Sequence, residues 1–221
     1  MVILRLLHLC DSLFPIGAFG YSDGLEASGV ADADGLRTWM DVCLDETIGR
    51  LDAPTVWRAW TMVRRADWDA LASLDAESTA LRPAAGARKA TRAMGLRLLT
   101  TWQTLYPHPG AADLLSLARA SRIGPALPVA FAAASACGDI DRRTAVEAFA
   151  YTRLASTVSA AMRLIPLGQT EAHVLLARAL DRVPDVVAAA AARDRGPESF
   201  TPLVDIASMR HQYLHSRLFR T

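Results

Sequence analysis

Apolar residues recur along this chain at helical spacing. Leu36, Trp39, Met40, Cys43, Leu44, Thr47, Ile48 and Leu51 follow the i, i+3, i+4 rule, and Asp34 stands where a helix cap is wanted. Similar stripes run through Ile3, Leu6, Leu7, Cys10 and Phe14, through Ala87, Thr91, Met94, Leu98, Trp102 and Leu105, and through Val146, Phe149, Leu154, Val158, Ala161 and Ile165. No run alternates with the two-residue period of a strand. Asp52, ahead of Ala53 and Pro54, and Asp141 read as further helix starts, because a carboxylate can accept from the free N–H groups of a first turn. The pattern predicts an all-α bundle.

Glycine and proline fall mostly between the stripes and predict breaks at 15–20, 81–83, 107–110, near Pro125 and Pro128, at 166–168 and at 195–202. None is long enough, or rich enough in Ser and Gly, to serve as an interdomain linker. One domain over 1–221 is expected. No fixed repeat period emerges, which disfavours a solenoid.

Composition narrows the class. With 221 residues, 52% of them hydrophobic, the chain has ample apolar surface to fold. Its 24 Lys and Arg against 23 Asp and Glu give a net charge of +1, which argues against nucleic acid or an anionic membrane as partner. Cys10, Cys43 and Cys137 stand apart with no Cys-x-x-Cys spacing, so they read as small hydrophobes in a reducing compartment. The apolar start of the chain carries Arg5 and His8 and lacks a cleavage site, and the stretch 126–137 is too short to span a bilayer. A soluble, cytoplasmic protein is expected.

Candidate chemistry is sparse. Gly20-Tyr21-Ser22-Asp23-Gly24 fits G-x-S-x-G, the turn that exposes the nucleophile of α/β-hydrolases, and makes a serine hydrolase using Ser22 the alternative reading. That turn needs a strand feeding it, and no strand pattern exists here. A helix-starting loop capped by Ser22 or Asp23, with Glu26 in the first turn, fits the context better. His211 and His215 are spaced to share one helix face, but Gln212 stands where a zincin has Glu and no third ligand lies near, so no metal site is expected. Neither a P-loop nor a dinucleotide fingerprint is present, and no cofactor is expected. Arg88, Lys89, Arg92, Arg142 and Arg143 read as solvated helix faces. From residue 208 the chain ends on Leu218-Phe219 between Arg217 and Arg220, the composition of an anchor for another subunit's pocket; a last helix folded on its own core is equally open.

Three blocks resemble the UreF family of urease accessory proteins. They are the opening run from Leu9 to Glu26 (LCDSLFPIGAFGYSDGLE), the middle run AMRLIPLGQT from Ala161 to Thr170, and the tail SMRHQYLHSRLFRT from Ser208 to Thr221. They lie in the family's order. The resemblance implies an all-α protein with no enzymatic activity. It would bridge the UreD (UreH) scaffold and the UreG GTPase to support nickel insertion into apo-urease, and would commonly form a homodimer. Carried onto this chain, Pro15, Gly17, Tyr21, Ser22, Gly24, Leu25 and Glu26 would shape a partner-binding turn. Arg163, Pro166, Gly168 and Gln169 would form a central kink. His211, Arg217, Leu218, Phe219 and Arg220 would belong to a docking helix and tail over 203–221. Gln212 and Thr221 depart from the family's Glu and Ser, and Ala126 and Leu127 stand where the family often has a His and an aromatic, so no polar or metal-passing role is carried onto that segment.

Overall fold

The computed structural model describes residues 2–220; Met1 and the tail residue Thr221 lie outside the described residues. Among the described residues every regular element is helical and no strand occurs. At the centre is α7 (Leu127–Cys137), in which every residue is buried. A helix apolar on all sides belongs in the middle of a core, and this accounts for the apolar stretch 126–137. Its five alanines let α3 (Ala53–Arg64) and α5 (Ala85–Leu105) pack closely on either side, with α8 (Arg142–Leu164) across it. Phe131 of α7 meets Phe149 of α8 edge to face at 5.4 Å. On α5, Gly95 is indispensable: a Cβ there would lie 2.1 Å from the Pro125 carbonyl oxygen.

α7 begins at Ala126, which has no side chain able to cap it, so neighbours supply the acceptors its first N–H groups need. Asp75, on α4 (Trp68–Ala80), accepts from Ala126 N–H at 2.7 Å and Gly124 N–H at 3.3 Å, and Thr91 of α5 accepts from Leu127 N–H at 3.0 Å. Asp75 is 2% exposed, and burial outweighs these bonds and the nearby Arg92 and Arg82, raising its pKa to about 6.

The stripe from Leu36 to Leu51 is buried as the spacing predicts, with Cys43 and Thr47 half-buried, but its helix is longer than expected. α2 (Ala33–Val42) runs through a π-helical stretch (Cys43–Asp52) directly into α3. Asp32, rather than Asp34, is the cap, accepting from Gly35 N–H at 2.8 Å. Asp52 starts no helix: its backbone is helical and its buried carboxylate pairs with Arg82 from the α4–α5 connection. Pro54 is tolerated inside this long helix because the ladder there has slipped to i−5, Ala53 N–H reaching Ile48 O, next to the position where proline has no N–H to offer. Asp141 does cap α8, accepting from Thr144 N–H at 3.0 Å.

Two further expectations need correction. α1 (Val2–Cys10) buries Leu9, while Ile3 and Leu7 of the expected stripe are exposed. The helix is apolar nearly all round, so periodicity could not choose its face. Nor are the arginine groups simply solvated: Arg142 stacks 3.8 Å over Trp57 and donates to Thr61, and Arg88 donates to the carbonyls of Arg82 and Pro83. The chain closes with α6 (Pro109–Arg119) beside α5, then α9 (Gln169–Asp181), α10 (Val183–Ala192) and α11 (Pro202–Arg210). No helix among the described residues is long and apolar enough to cross a membrane.

Candidate partner-docking site

Residues 11–27 form a compact irregular segment holding two 3₁₀ turns, Ala18–Gly20 and Leu25–Ala27. Asp11 accepts from Leu13 N–H at 2.8 Å and folds the chain back after α1, so that Phe14 is buried edge-on to His8 at 5.3 Å. Between the 3₁₀ turns, Asp23 and Gly24 both adopt left-handed backbone, with φ of 51° and 89°. Asp23 pairs with Arg153 of α8; burial opposes the charge on that guanidinium, but Asp23 and Asp52 together overcome it and hold it protonated. Gly24 is pressed against α11, where a Cβ would lie 2.7 Å from Ser208 Oγ and 3.0 Å from Ser208 N.

Glu26 is the hub. Its Oε2 lies 2.7 Å from Nε2 of His211, a fully buried imidazole in the 3₁₀ turn that follows α11 (His211–Tyr213). Because an ionised carboxylate only accepts, Nε2 is the protonated nitrogen. The same carboxylate accepts from the backbone N–H of Leu218 and, at 3.2 Å, of Phe219. Burial opposes ionisation of Glu26, but the bonds from Leu218, His211 and Phe219 outweigh it and hold the carboxyl below the ordinary glutamate range. Arg220 N–H closes the arrangement on Gly20 O at 2.8 Å.

Arg163 joins from α8. Its guanidinium lies 4.1 Å from the Phe19 ring centroid and 4.4 Å from that of Phe219, and donates to Phe19 O at 3.1 Å. Phe19, Arg163 and Phe219 together border a groove of about 760 Å³ between α1 and α8, floored by Leu9, Phe14 and Phe131.

Three segments singled out in the sequence thus meet, although Glu26 and Phe219 are 193 residues apart. Pro15 and Gly17 are exposed on the turn, Tyr21 is half-buried, and Ser22 and Leu25 are buried beneath it. Pro166, Gly168 and Gln169 lie exposed past the end of α8, where Gly168 starts α9. Arg217 and Leu218 are exposed, whereas Phe219 is 4% exposed and packed on its own chain. Within the expected docking helix and tail over 203–221, α11 stops at Arg210 and the chain continues as the short 3₁₀ turn and an irregular, bent segment, so His211 and His215 do not share a helix face. His211 is buried against Glu26 while His215 is exposed, and no cluster of three or more His, Cys, Asp or Glu able to hold a metal occurs among the described residues.

The hydrolase reading loses its scaffold, since Ser22 is fed by a 3₁₀ turn and is 3% exposed, and its Oγ faces Glu26 N–H at 3.4 Å. Sequence reasoning missed the exposed apolar face of α11: Leu203 is 76% exposed and, beyond the helix, Tyr213 79%, with Ile206 and Met209 exposed to a lesser degree between them. Their spacing of three to four was the available signal.

A profile of the UreF family matches residues 30–180. The chain is also 33% identical to the urease accessory protein UreF of Rhodopseudomonas palustris (strain BisB5), over 99% of this chain and 91% of that protein. It is 32% identical to UreF of Methylobacillus flagellatus and 34% identical to UreF of Methylibium petroleiphilum, again over 99% of this chain and over 97% and 94% of theirs. The family profile covers the helical core, and the relatives extend the similarity across the turn and the tail as well. On that similarity across the core, the turn and the tail, this chain belongs to the UreF family of urease accessory proteins.

Proposed function

We propose that this protein is a non-catalytic assembly factor that bridges a UreD (UreH) scaffold and the UreG GTPase and so supports nickel insertion into apo-urease. In this reading it works in the cytoplasm, as a homodimer, and takes no cofactor of its own. The observation that carries the reading is the surface built on Glu26. Glu26 of the turn and Arg163 of α8 both hold the chain from 211 to 220 against the turn, so that segments far apart in sequence meet on one surface. Outside it stand Pro15, Arg217, Leu218 and the apolar face of α11, a mix of apolar residues and arginine suited to a protein partner.

The test is co-expression of the full chain, and of a chain lacking 218–221, with UreD, UreG and apo-urease, followed by size exclusion and urease activity after nickel addition. Complex formation and activation that both require the tail are expected. If the folded full chain neither joins a complex nor supports activation, the reading is wrong.

A further inference from the structure

Over its 21 residues α5 carries four cations, Arg88, Lys89, Arg92 and Arg97, and no acid, in a chain whose charges otherwise nearly balance. Arg88 is used internally, on the carbonyls of Arg82 and Pro83. The other three are exposed and form no salt bridge with a carboxylate among the described residues. Asp75 is near Arg92, but it is buried and its oxygens are committed to the N–H groups of Gly124 and Ala126. At about 3.6 residues per turn, Lys89, Ala93, Leu96 and Thr100 run down the middle of the exposed face, with Arg92 at one edge and Arg97 at the other. Both edge guanidiniums lie against glycine. A Cβ on Gly124, just before α7, would meet Arg92 Nε at 3.1 Å and Cζ at 3.3 Å, and one on Gly17, in the turn, would meet Arg97 Nη1 at 2.9 Å. Between these edges the face is low and offers no free hydroxyl: Leu96 is 45% exposed, and Thr100 and Thr104 donate to Leu96 O and Thr100 O of their own helix at 2.8 and 2.9 Å.

We infer that this face of α5 docks an acidic segment of a protein partner, whose carboxylates pair with Lys89, Arg92 and Arg97 while its apolar atoms cover Ala93 and Leu96. The inference deepens the function proposed above and rests on it for the partner's identity. Charge is the first argument: cations one turn apart repel one another, and α5 supplies no carboxylate at i+3 or i+4 to balance them. Seating is the second. An arginine already held against bare backbone loses less freedom on meeting a carboxylate than one that swings freely, and its planar fork can then take both oxygens. A phosphate-rich surface fits less well, since Ala93 and Leu96 stand among the cations and the whole chain carries a net charge of only +1.

The experiment titrates UreD, UreG and apo-urease in turn with the full chain and with Arg92→Gln/Arg97→Gln, at low and at high salt, circular dichroism serving to check that both chains are folded. One of the three partners is expected to bind the double variant about tenfold more weakly at low salt, the gap narrowing at high salt as exposed pairs are screened. Gly124→Ala, which keeps every charge but pushes Arg92 off its seat, weakens the same partner by about threefold. Equal affinity of the native chain and the double variant for every partner that binds overturns the docking face and leaves the proposed function standing. A loss that is as large at high salt as at low overturns the charge pairing, and undiminished affinity in Gly124→Ala overturns the seating. If the native chain binds none of the three, the proposed function falls and this inference with it. Binding to anionic phospholipid vesicles that the double variant loses, with all three protein affinities unchanged, overturns the protein partner in favour of a membrane.

Discussion

Replacing Gly24 with alanine tests how closely the turn and α11 approach one another. Two costs arise. Alanine at a φ of 89° gives up roughly 1–2 kcal/mol relative to glycine. The added Cβ then lies 2.7 Å from Ser208 Oγ, which can rotate away, and 3.0 Å from Ser208 N, which cannot. Shifting the α11 backbone adds about 1–3 kcal/mol, the usual cost of overpacking. Gly29 supplies the control, because its φ is 84° and nothing lies within 4 Å of the position a Cβ would take. Gly29→Ala therefore carries the backbone cost alone. Loss of glycine's freedom in the unfolded chain affects both variants alike and cancels in their difference. Urea unfolding followed by circular dichroism should place Gly24→Ala below Gly29→Ala by at least about 1 kcal/mol, with m unchanged. Hydrogen exchange near Ser208 should rise only in the first. Equal stabilities for the two variants would refute the reasoning, since the close contact with Ser208 is the one term that separates them.

Three further outcomes are expected. The pKa of Asp75, raised to about 6 in the folded chain from its ordinary 3.8, means that the native state binds this proton more tightly than the unfolded one. Its contribution is therefore fully present below about 3.8 and lost as pH rises through about 6, so the native chain gains on Asp75→Asn, by roughly 2 kcal/mol, as pH falls from 6 to 4 in urea titrations. Gly95→Ala, with its Cβ 2.1 Å from a backbone oxygen, should cost more than about 4 kcal/mol and yield little soluble protein on expression; normal yield and melting temperature would contradict the packing of α5 on the start of α7. Arg163→Ala should lose about 1–2 kcal/mol in chemical denaturation through its two aromatic neighbours, and Arg163→Lys should recover little of it, because an ammonium presents no flat face to Phe19 and Phe219.

What the sequence made legible follows from the range of the forces involved. The stripe from Leu36 to Leu51 and the cap at Asp141 are local, and each turned out as its spacing predicts. Asp52 was misread because its partner, Arg82, lies 30 residues away, and a buried carboxylate before proline looks the same in sequence as an exposed cap. The π-helical stretch left no mark, since a slip from i−4 to i−5 barely disturbs an apolar stripe. At the site, the turn and the tail were both recognisable as blocks, but their union was not. Nothing in either block says that a glutamate in one meets backbone N–H groups of the other. The tail's composition left open whether Phe219 points outward or inward, and burial beneath Arg163 decides it.

The grip of Glu26 on Leu218 and Phe219 also has a consequence in time. A chain leaving the ribosome exposes Glu26 some 192 residues before the first of these two amides has been made. Throughout that interval the helices of the core can form from nearer contacts, but Glu26 has neither amide to hold, and closing so long a loop belongs late in folding. A chain interrupted before residue 218 can own every core helix and still lack the assembled surface.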